Sequence, residues 1–279
     1  MSTQLCTASH DGGTTMTIPV SDSALSLPAV RRITTSQPWQ WLGAGWNDLR
    51  RAPAASLAYG LLFVLMGYLL VYTVEGQFHS VLALTTGFLL VGPFLAMGLY
   101  DISRRLEAGE PVSLGRALTA WRGNVLPIAL FGVVVGLLMI VWSRVAVVLF
   151  AVLMGGRALS LDASAAQFFF SGSGLTFLLV FTVVGAIIAG AVFTISVVSI
   201  PMMLDRKTDF MTAILTSLAA VRANPAPMAL WAALIVLFTG LGLVTFYLGL
   251  AITLPLVGHA TWHAYRSLVE DGELEPQPM

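Results

Sequence analysis

Between Arg222 and Arg266 the chain runs through 43 residues without a formal charge. A single helix of that length would be about 65 Å long, and the hydrocarbon core of a bilayer is only about 30 Å thick. The segment is therefore predicted to cross a membrane, turn and cross it again. Other charge-free stretches, each long enough for a crossing, cover residues 52–74, 76–100, 123–143 and 163–204.

Composition agrees with a membrane protein. The chain is 57% hydrophobic and 10% charged, with a mean hydropathy of +0.85, whereas a soluble domain carries about 25% charged residues. Its net charge is zero, so no basic field favours nucleic acid as a partner. The lone cysteine, Cys6, excludes a disulfide framework and a cysteine-based metal site. No cofactor is expected.

The predicted fold class is all-α, a polytopic membrane protein with six transmembrane helices. We place these helices near residues 54–74, 79–100, 125–143, 175–203, 226–243 and 246–265. Gly240, Gly242 and Gly249 bracket the turn between the last two, and Pro201 is expected to mark a tilt or kink in the fourth.

The same assignment divides the chain into three parts. Residues 1–37 are rich in Ser, Thr, Gly and Pro and are expected to form a disordered cytoplasmic tail. Residues 38–270 form the membrane domain, and residues 271–279 form a second, shorter tail.

Basic residues predict the orientation of the helices. Twelve of the 14 Arg and Lys residues fall on the side of the termini, and only Arg144 and Arg157 fall on the opposite side. Cytoplasmic loops carry the excess of Lys and Arg in membrane proteins. Both termini are therefore predicted to be cytoplasmic.

The chain also contains an internal repeat. Residues 117–131 match residues 217–231 without gaps, and seven of the fifteen positions are identical, Asn124 and Asn224 among them. Residues 41–58 are a looser third copy. We predict three helical hairpins, in repeat units of about 38–108, 113–207 and 208–270. An amphipathic helix on the cytoplasmic face precedes each hairpin, and the pseudo-axis runs along the membrane normal.

Two further patterns concern packing. The tryptophans Trp39, Trp41, Trp46 and Trp121 fall just before predicted spans, so they are expected to anchor surface helices in the headgroup layer. Gly132 and Gly136 form a GxxxG motif in the third span, a pattern that lets two helices approach closely.

The candidate site residues lie near helix ends. Asp101, Asp205 and His263 end spans at matching levels, and around a central axis they would form a polar ring at a cytoplasmic mouth. The simpler interpretation is three helix ends that meet water and headgroups beside neighbouring arginines. His259 and His263 share a helix face at i and i+4. They could hold a metal or a haem iron, or relay protons, if other helices supplied ligands.

Catalytic signatures are missing from the sequence. It contains no phosphate loop, no GxGxxG after a strand, no HExxH and no GxSxG, and each of these carries a known chemistry. No charge lies clearly in the middle of a predicted span, where transporters and pumps place ionisable groups. We therefore expect a protein that is not an enzyme.

The segments VRRITTSQPWQWLGAGWNDLRRAPAASLAYG, at residues 30–60, and GPFLAMGLYDISRRLEAGE, at residues 92–110, together with the six-span layout, resemble the bacterial integral membrane family named domain of unknown function 2189. The resemblance covers about residues 30–270 and implies a multi-pass protein of the bacterial inner membrane. Some members carry oxidase-subunit labels, which implies an accessory role beside a respiratory or photosynthetic complex.

Taken together, the sequence favours a non-enzymatic scaffold or accessory subunit whose partners are the lipid bilayer and other integral membrane proteins. The alternative is a small transporter or channel for an ion, proton or amphiphile along the pseudo-axis. A metal or haem site at His259 and His263 is the third hypothesis.

Overall fold

The computed structural model describes residues 27–74, 96–154 and 172–270. Across these ranges the regular secondary structure is helical, apart from one isolated antiparallel β-bridge between Val30 and Val269. The predicted all-α class is thus confirmed for the described part of the chain. The predictions for residues 1–26, for most of the second span and for the C-terminal tail lie outside it.

The helices are named here in chain order. They are α1 (Gln37–Arg51), α2 (Pro53–Val74), α3 (residues 96–107), α4 (Leu114–Leu118), a 3-10 helix (Ala120–Asn124), α5 (Val125–Met154), α6 (Gly172–Ser196), α7 (Ser199–Arg206), α8 (Phe210–Ala223), α9 (Pro225–Val244) and α10 (Leu250–Leu268).

Several of these helices are long and apolar enough to cross a membrane. Among the described residues they are Ala120–Leu153, Gly172–Arg206 and Pro225–Val244. The pair formed by α1 and α2, which bends by 106°, is a fourth candidate. α10 covers the sixth predicted span but is not among them, because its second half carries histidines and other polar residues. The described residues thus contain three to four candidate spans, and the total of six stays a prediction.

The bend between α1 and α2 follows from local chemistry. α1 is amphipathic, and its buried face includes Trp41, Gly45 and Asp48. Ala52 closes α1 by donating its N–H to the Asp48 carbonyl at 2.9 Å. α2 then begins at Pro53, and a proline fits the first turn because an N–H there would have no helical partner.

Two expectations about the long helices can be compared with the structure. α5 is continuous for 30 residues, about 45 Å, so residues 145–154 extend the third predicted span. The fourth predicted span breaks at residues 197–198, between α6 and α7. The break lies near Pro201, as predicted, because a proline ring clashes with the carbonyl four residues before it.

The chain reverses between α9 and α10 at residues 245–249, where the glycine pattern predicted a turn. Phe246 and Tyr247 adopt positive φ values of 53° and 66°, a region that side chains with a Cβ rarely occupy. The Tyr68 hydroxyl of α2 donates to the Phe246 carbonyl at 2.9 Å. This contact ties the turn to α2.

α10 is the central helix of the described structure. A Cβ added at Gly45 of α1 would lie 2.7 Å from the Ala260 nitrogen, and one at Gly60 of α2 would collide with the Ala251 backbone. One at Gly258 of α10 would lie 2.5 Å from the Leu99 side chain of α3. The backbones of α1 and α2 thus lie directly against the backbone of α10, and a side chain of α3 packs directly on Gly258.

Two sequence predictions need correction. Trp41 is not an interfacial anchor, since it is 2% exposed and packs edge-on against Trp231, with ring centroids 5.6 Å apart. It lies on the buried face of α1, and Trp231 belongs to α9, whereas Trp39, Trp46 and Trp121 are 57%, 44% and 37% exposed. Residues 27–36, which the prediction counted in the disordered tail, are ordered in the structure, and Arg31 donates its backbone N–H to the Leu268 carbonyl at 2.8 Å.

Candidate functional site

His259 lies in the middle of a buried contact between three helices. Its side chain belongs to α10 and is fully buried. Its Nε2 lies 2.9 Å from the Ser56 hydroxyl of α2, and its Nδ1 lies 2.8 Å from the Ser103 hydroxyl of α3. Ser56 donates its own hydrogen to the Ala52 carbonyl at 2.8 Å. The network is therefore satisfied when Nε2–H donates to Ser56 and Nδ1 accepts from Ser103.

His263 joins α10 to the surface helix α1. Its Nε2 lies 2.8 Å from an Asp48 carboxylate oxygen. The Asp48 side chain is 6% exposed and that of His263 is 24% exposed. The pair gives a buried acid a partner, without which burial of its charge would be costly.

Asp101 and Glu107 connect α3 to its surroundings. Asp101 is almost completely buried and pairs with Arg104 and with Arg105, whose Nε is 2.8 Å away. Glu107 accepts a 2.8 Å hydrogen bond from the Trp262 indole and a 3.2 Å bond from Arg266. The charged end of α3 is thus held against α10.

Asp205 connects α7 to the same end of α10. It accepts a 2.7 Å hydrogen bond from the Tyr265 hydroxyl. The hydroxyl oxygen of Tyr265 in turn accepts a 2.9 Å hydrogen bond from Arg206. Arg206 also donates to the Glu270 carbonyl at 2.6 Å. A second acid and its arginine neighbour therefore fix the end of α10.

Two asparagines hold backbone segments with their amide groups. Asn224, between α8 and α9, accepts from the Ile33 N–H at 2.8 Å and donates to the Arg31 carbonyl at 3.0 Å. Asn124 donates to the carbonyls of Met203 and Thr208 at 3.0 and 2.9 Å. Each amide holds a segment that leads into a helix, α1 in the first case and α8 in the second.

The three predicted ring residues each have separate partners. Asp101 pairs with arginines of its own helix, Asp205 with Tyr265, and His263 with Asp48. Among the hydrogen bonds and ion pairs of the described residues, none joins one of the three to another. The geometry accords with helix ends closed by neighbouring side chains.

His259 and His263 do not belong to a metal-binding cluster in the described part of the chain. Within residues 27–74, 96–154 and 172–270, no group of three or more His, Cys, Asp or Glu side chains could hold a metal ion. Both ring nitrogens of His259 already hydrogen-bond to serine hydroxyls. A metal at His259 would have to displace one of those bonds.

Sequence reasoning did not single out the partners of the histidines. Asp48 could have been identified from the sequence, since it is an acid on the otherwise apolar face of the amphipathic helix α1. Ser56, Ser103 and Glu107 could not, because their roles depend on which helices meet. Gly132 and Gly136 are half-buried and buried on α5, and their packing role stays a prediction.

Comparison with known proteins gives a family likeness and no activity. Residues 81–205 match the model of a family described as Predicted integral membrane protein (DUF2189). The resemblance predicted from the sequence is confirmed over this stretch, which includes Asp101, Asn124 and Asp205. No curated protein and no solved structure matches the chain.

Proposed function

We propose that this integral membrane protein is a non-enzymatic scaffold or accessory subunit that works beside other integral membrane proteins. One observation carries the proposal: α10 is enclosed by close contacts at three glycines, where Gly45 and Gly60 meet its backbone and Gly258 meets the Leu99 side chain. Packing of this kind builds a rigid body, because interiors without voids resist deformation. Because a helix fills the interior, the outer surfaces are the parts of the molecule that can bind partners.

The proposal includes a topology of six spans in three hairpins, with both termini on the cytoplasmic side of an inner membrane. The matching roles of Asn124 and Asn224 support it, since each closes a helix junction against a segment that leads into another helix, α8 for Asn124 and α1 for Asn224. The 106° bend at the start of α2 supports it as well. A surface helix that turns into a crossing helix would bend in this way.

The outer surfaces offered to lipid or protein partners are apolar. On α5 the exposed residues include Leu126 and Val133, at 68% and 59%, and on α6 Leu179 and Ile187, at 64% and 67%. A shallow groove of about 330 Å³ runs along α6 between Leu175 and Val183. Helix faces of this kind associate in membranes through shape and van der Waals packing.

A second candidate function is a proton path that begins at the charged end of α10. The observation in its favour is the pair of histidines on one face of α10, His259 bonded to two buried hydroxyls and His263 to Asp48. An imidazole can accept a proton at one ring nitrogen and release one from the other. The hydrogen bonds that support such a path end at Ser56 and Ser103.

Site-specific photo-crosslinking tests the scaffold proposal. A photoreactive amino acid replaces Leu179 on the outer face of α6, and the matched control replaces Met97, which is 1% exposed. We expect the Leu179 variant to form one discrete adduct with another integral membrane protein at native expression, and the Met97 variant to form none. Adducts with lipid alone, from each of several outer positions, would contradict the proposal.

A flux assay separates the two candidates. The purified chain is placed in liposomes that contain a pH-sensitive dye, and a pH step is applied across the membrane. We expect proton entry at the rate of protein-free liposomes. Faster entry that disappears in His259→Ala would overturn the scaffold proposal in favour of the proton path.

A further inference from the structure

Two helix junctions are closed by asparagine, and a third is not. Asn224 precedes α9 and Asn124 precedes α5, and each fills its junction with an amide bonded to a neighbouring segment. In the looser third copy of the repeat, Pro53 corresponds to Pro225, which places Ala52 at the position of Asn224. Alanine has no side-chain amide, so no such hydrogen bond closes the third junction.

A cavity lies at this third junction. Its volume is about 430 Å³, and it opens to the surface. Its walls are residues 51–55, from the end of α1 and the first turn of α2, together with Val112 and Leu114 before and within α4. The cavity thus lies where a surface helix turns by 106° into an apolar helix.

Arg51 supplies positive charge to the cavity. It is exposed, and among the described residues it has no hydrogen bond or ion pair. The arginines near the end of α10 differ, since Arg105 and Arg266 are paired with carboxylates. Arg51 is therefore available to an anion from outside the chain.

An apolar stripe leads away from the cavity along α2. Leu57, Leu61 and Leu65 are 42%, 54% and 58% exposed and follow one another at four-residue spacing, on one face of the helix. The stripe spans about 12 Å. It offers a track for an acyl chain that continues from a headgroup in the cavity.

We infer that this junction binds an anionic phospholipid, with the headgroup phosphate at Arg51 in the cavity between Ala52 and Val112 and one acyl chain along the leucine stripe of α2. Charge selects the headgroup, because arginine pairs with phosphate through two parallel donors. The apolar stripe selects a lipid over free phosphate. This binding does not depend on the scaffold proposal.

Native mass spectrometry of the full-length chain, released from detergent, tests the site. The probes are phosphatidylglycerol and phosphatidylcholine with identical acyl chains. We expect one phosphatidylglycerol to bind several-fold more tightly than phosphatidylcholine. Arg51→Gln should weaken phosphatidylglycerol binding about fivefold, the effect of one basic residue near an anionic lipid surface.

Two matched variants separate the site from general charge. Arg50→Gln removes the same charge one residue away, and Arg50 does not line the cavity. Phosphatidylglycerol binding by this variant should therefore stay within twofold of wild type. Ala54→Phe fills the cavity from an exposed position and should reduce binding at unchanged thermal stability. Equal losses in Arg50→Gln and Arg51→Gln, or full binding in a well-folded Ala54→Phe protein, would overturn the inference.

Free phosphate provides the last comparison. Inorganic phosphate is added at millimolar concentration and compared with chloride at the same ionic strength. We expect little displacement of phosphatidylglycerol, since phosphate gains nothing from the leucine stripe. Displacement by phosphate alone would mean a simple anion site and would contradict the lipid assignment.

Discussion

At the scale of single residues, several polar side chains buried around α10 are paired with a polar side chain from a different helix. His259 meets Ser56 and Ser103, and His263 meets Asp48. A buried polar group without a partner costs more free energy than a satisfied bond contributes. These pairs therefore fix which helix lies against which, beyond the apolar packing that surrounds them.

His259→Ala should lower the free energy of unfolding by about 2 kcal/mol, because Ser103 would lose its buried partner and a void would remain. The change is measured by thermal unfolding in detergent. A double-mutant cycle with Ser103→Ala should show that the two losses are not additive. An unfolding temperature equal to that of the wild-type protein would contradict this role of His259.

Asp209 makes the stability of the fold depend on pH. It caps the N-terminus of α8, and partial burial raises the pKa of its carboxyl, but hydrogen bonds from Thr212 outweigh that effect and lower the pKa below its usual value. The carboxylate therefore stabilises the fold at neutral pH, and this stability is lost as pH falls through the lowered value.

Asp209→Ala should cost about 1 kcal/mol at neutral pH, the usual effect of losing a cap. The difference from wild type should shrink as pH falls toward the lowered pKa of the folded state. Asp209→Asn keeps a capping oxygen without a titrating proton and should stay close to wild type. Unfolding temperatures between pH 3 and 7 test this, and a difference that does not change with pH would count against it.

At the scale of helices, α10 differs from its neighbours because it faces protein on most sides. Its buried residues include His259, Thr261 and Tyr265, whereas α5 and α6 keep broad apolar faces exposed. A helix in lipid must be apolar around its whole circumference. A helix enclosed by others can carry polar groups that find partners there. This accounts for the lower hydropathy of the last predicted span.

Gly43 and Gly45 make a matched pair on α1. A Cβ at Gly45 would lie 2.7 Å from the Ala260 nitrogen, whereas one at Gly43 would meet no atom within 4 Å. Gly43→Ala should stabilise the protein by about 0.5–1 kcal/mol through helix propensity. Gly45→Ala should destabilise it by about 1–3 kcal/mol, because α1 would be pushed from α10. Equal unfolding temperatures for the two variants would refute the close crossing.

The Asn224 amide should protect the segment before α1 from protease. Asn224→Ala removes the bonds to Arg31 and Ile33, and trypsin should then cleave after Arg31 or Arg32 several-fold faster. Asn124→Ala, which affects residues 203–208 instead, should leave that cleavage unchanged. Mass spectrometry of timed digests gives both rates. Similar acceleration in both variants would indicate general unfolding.

Hydropathy and the positions of glycine and proline predicted the helices better than they predicted the contacts between helices. The turn after α9, the break before Pro201 and the amphipathic character of α1 follow from local pattern, because glycine, proline and charge act on their own neighbourhood. Trp41 was assigned to the interface because sequence position does not show which neighbour covers a face. The partners of His259 depend on tertiary packing, so no spacing in the sequence contains them.

At the scale of the whole molecule, the charged side chains of the described residues lie apart from the apolar surface, with the exception of Arg144 on α5. Acids and bases gather at the end of α10 and on the segments around it, including Glu107, Asp205 and Arg266. Long apolar helices extend away from that end, and their leucines and valines are exposed. A bilayer accommodates such a molecule with its charged end at one interface. The proposed topology puts that end in the cytoplasm.

In the proposed topology, three hairpins place both termini and the charged end of α10 on the cytoplasmic side. Cys6 is the lone cysteine, so Cys6→Ser gives a background for single cysteines introduced as Arg32→Cys, Ser113→Cys, Gln77→Cys and Leu248→Cys. A membrane-impermeant maleimide is applied to intact cells and to lysed cells. We predict labelling of positions 77 and 248 in intact cells, and of positions 32 and 113 only after lysis. Labelling of position 32 or 113 in intact cells, or protection of position 248, would contradict the account.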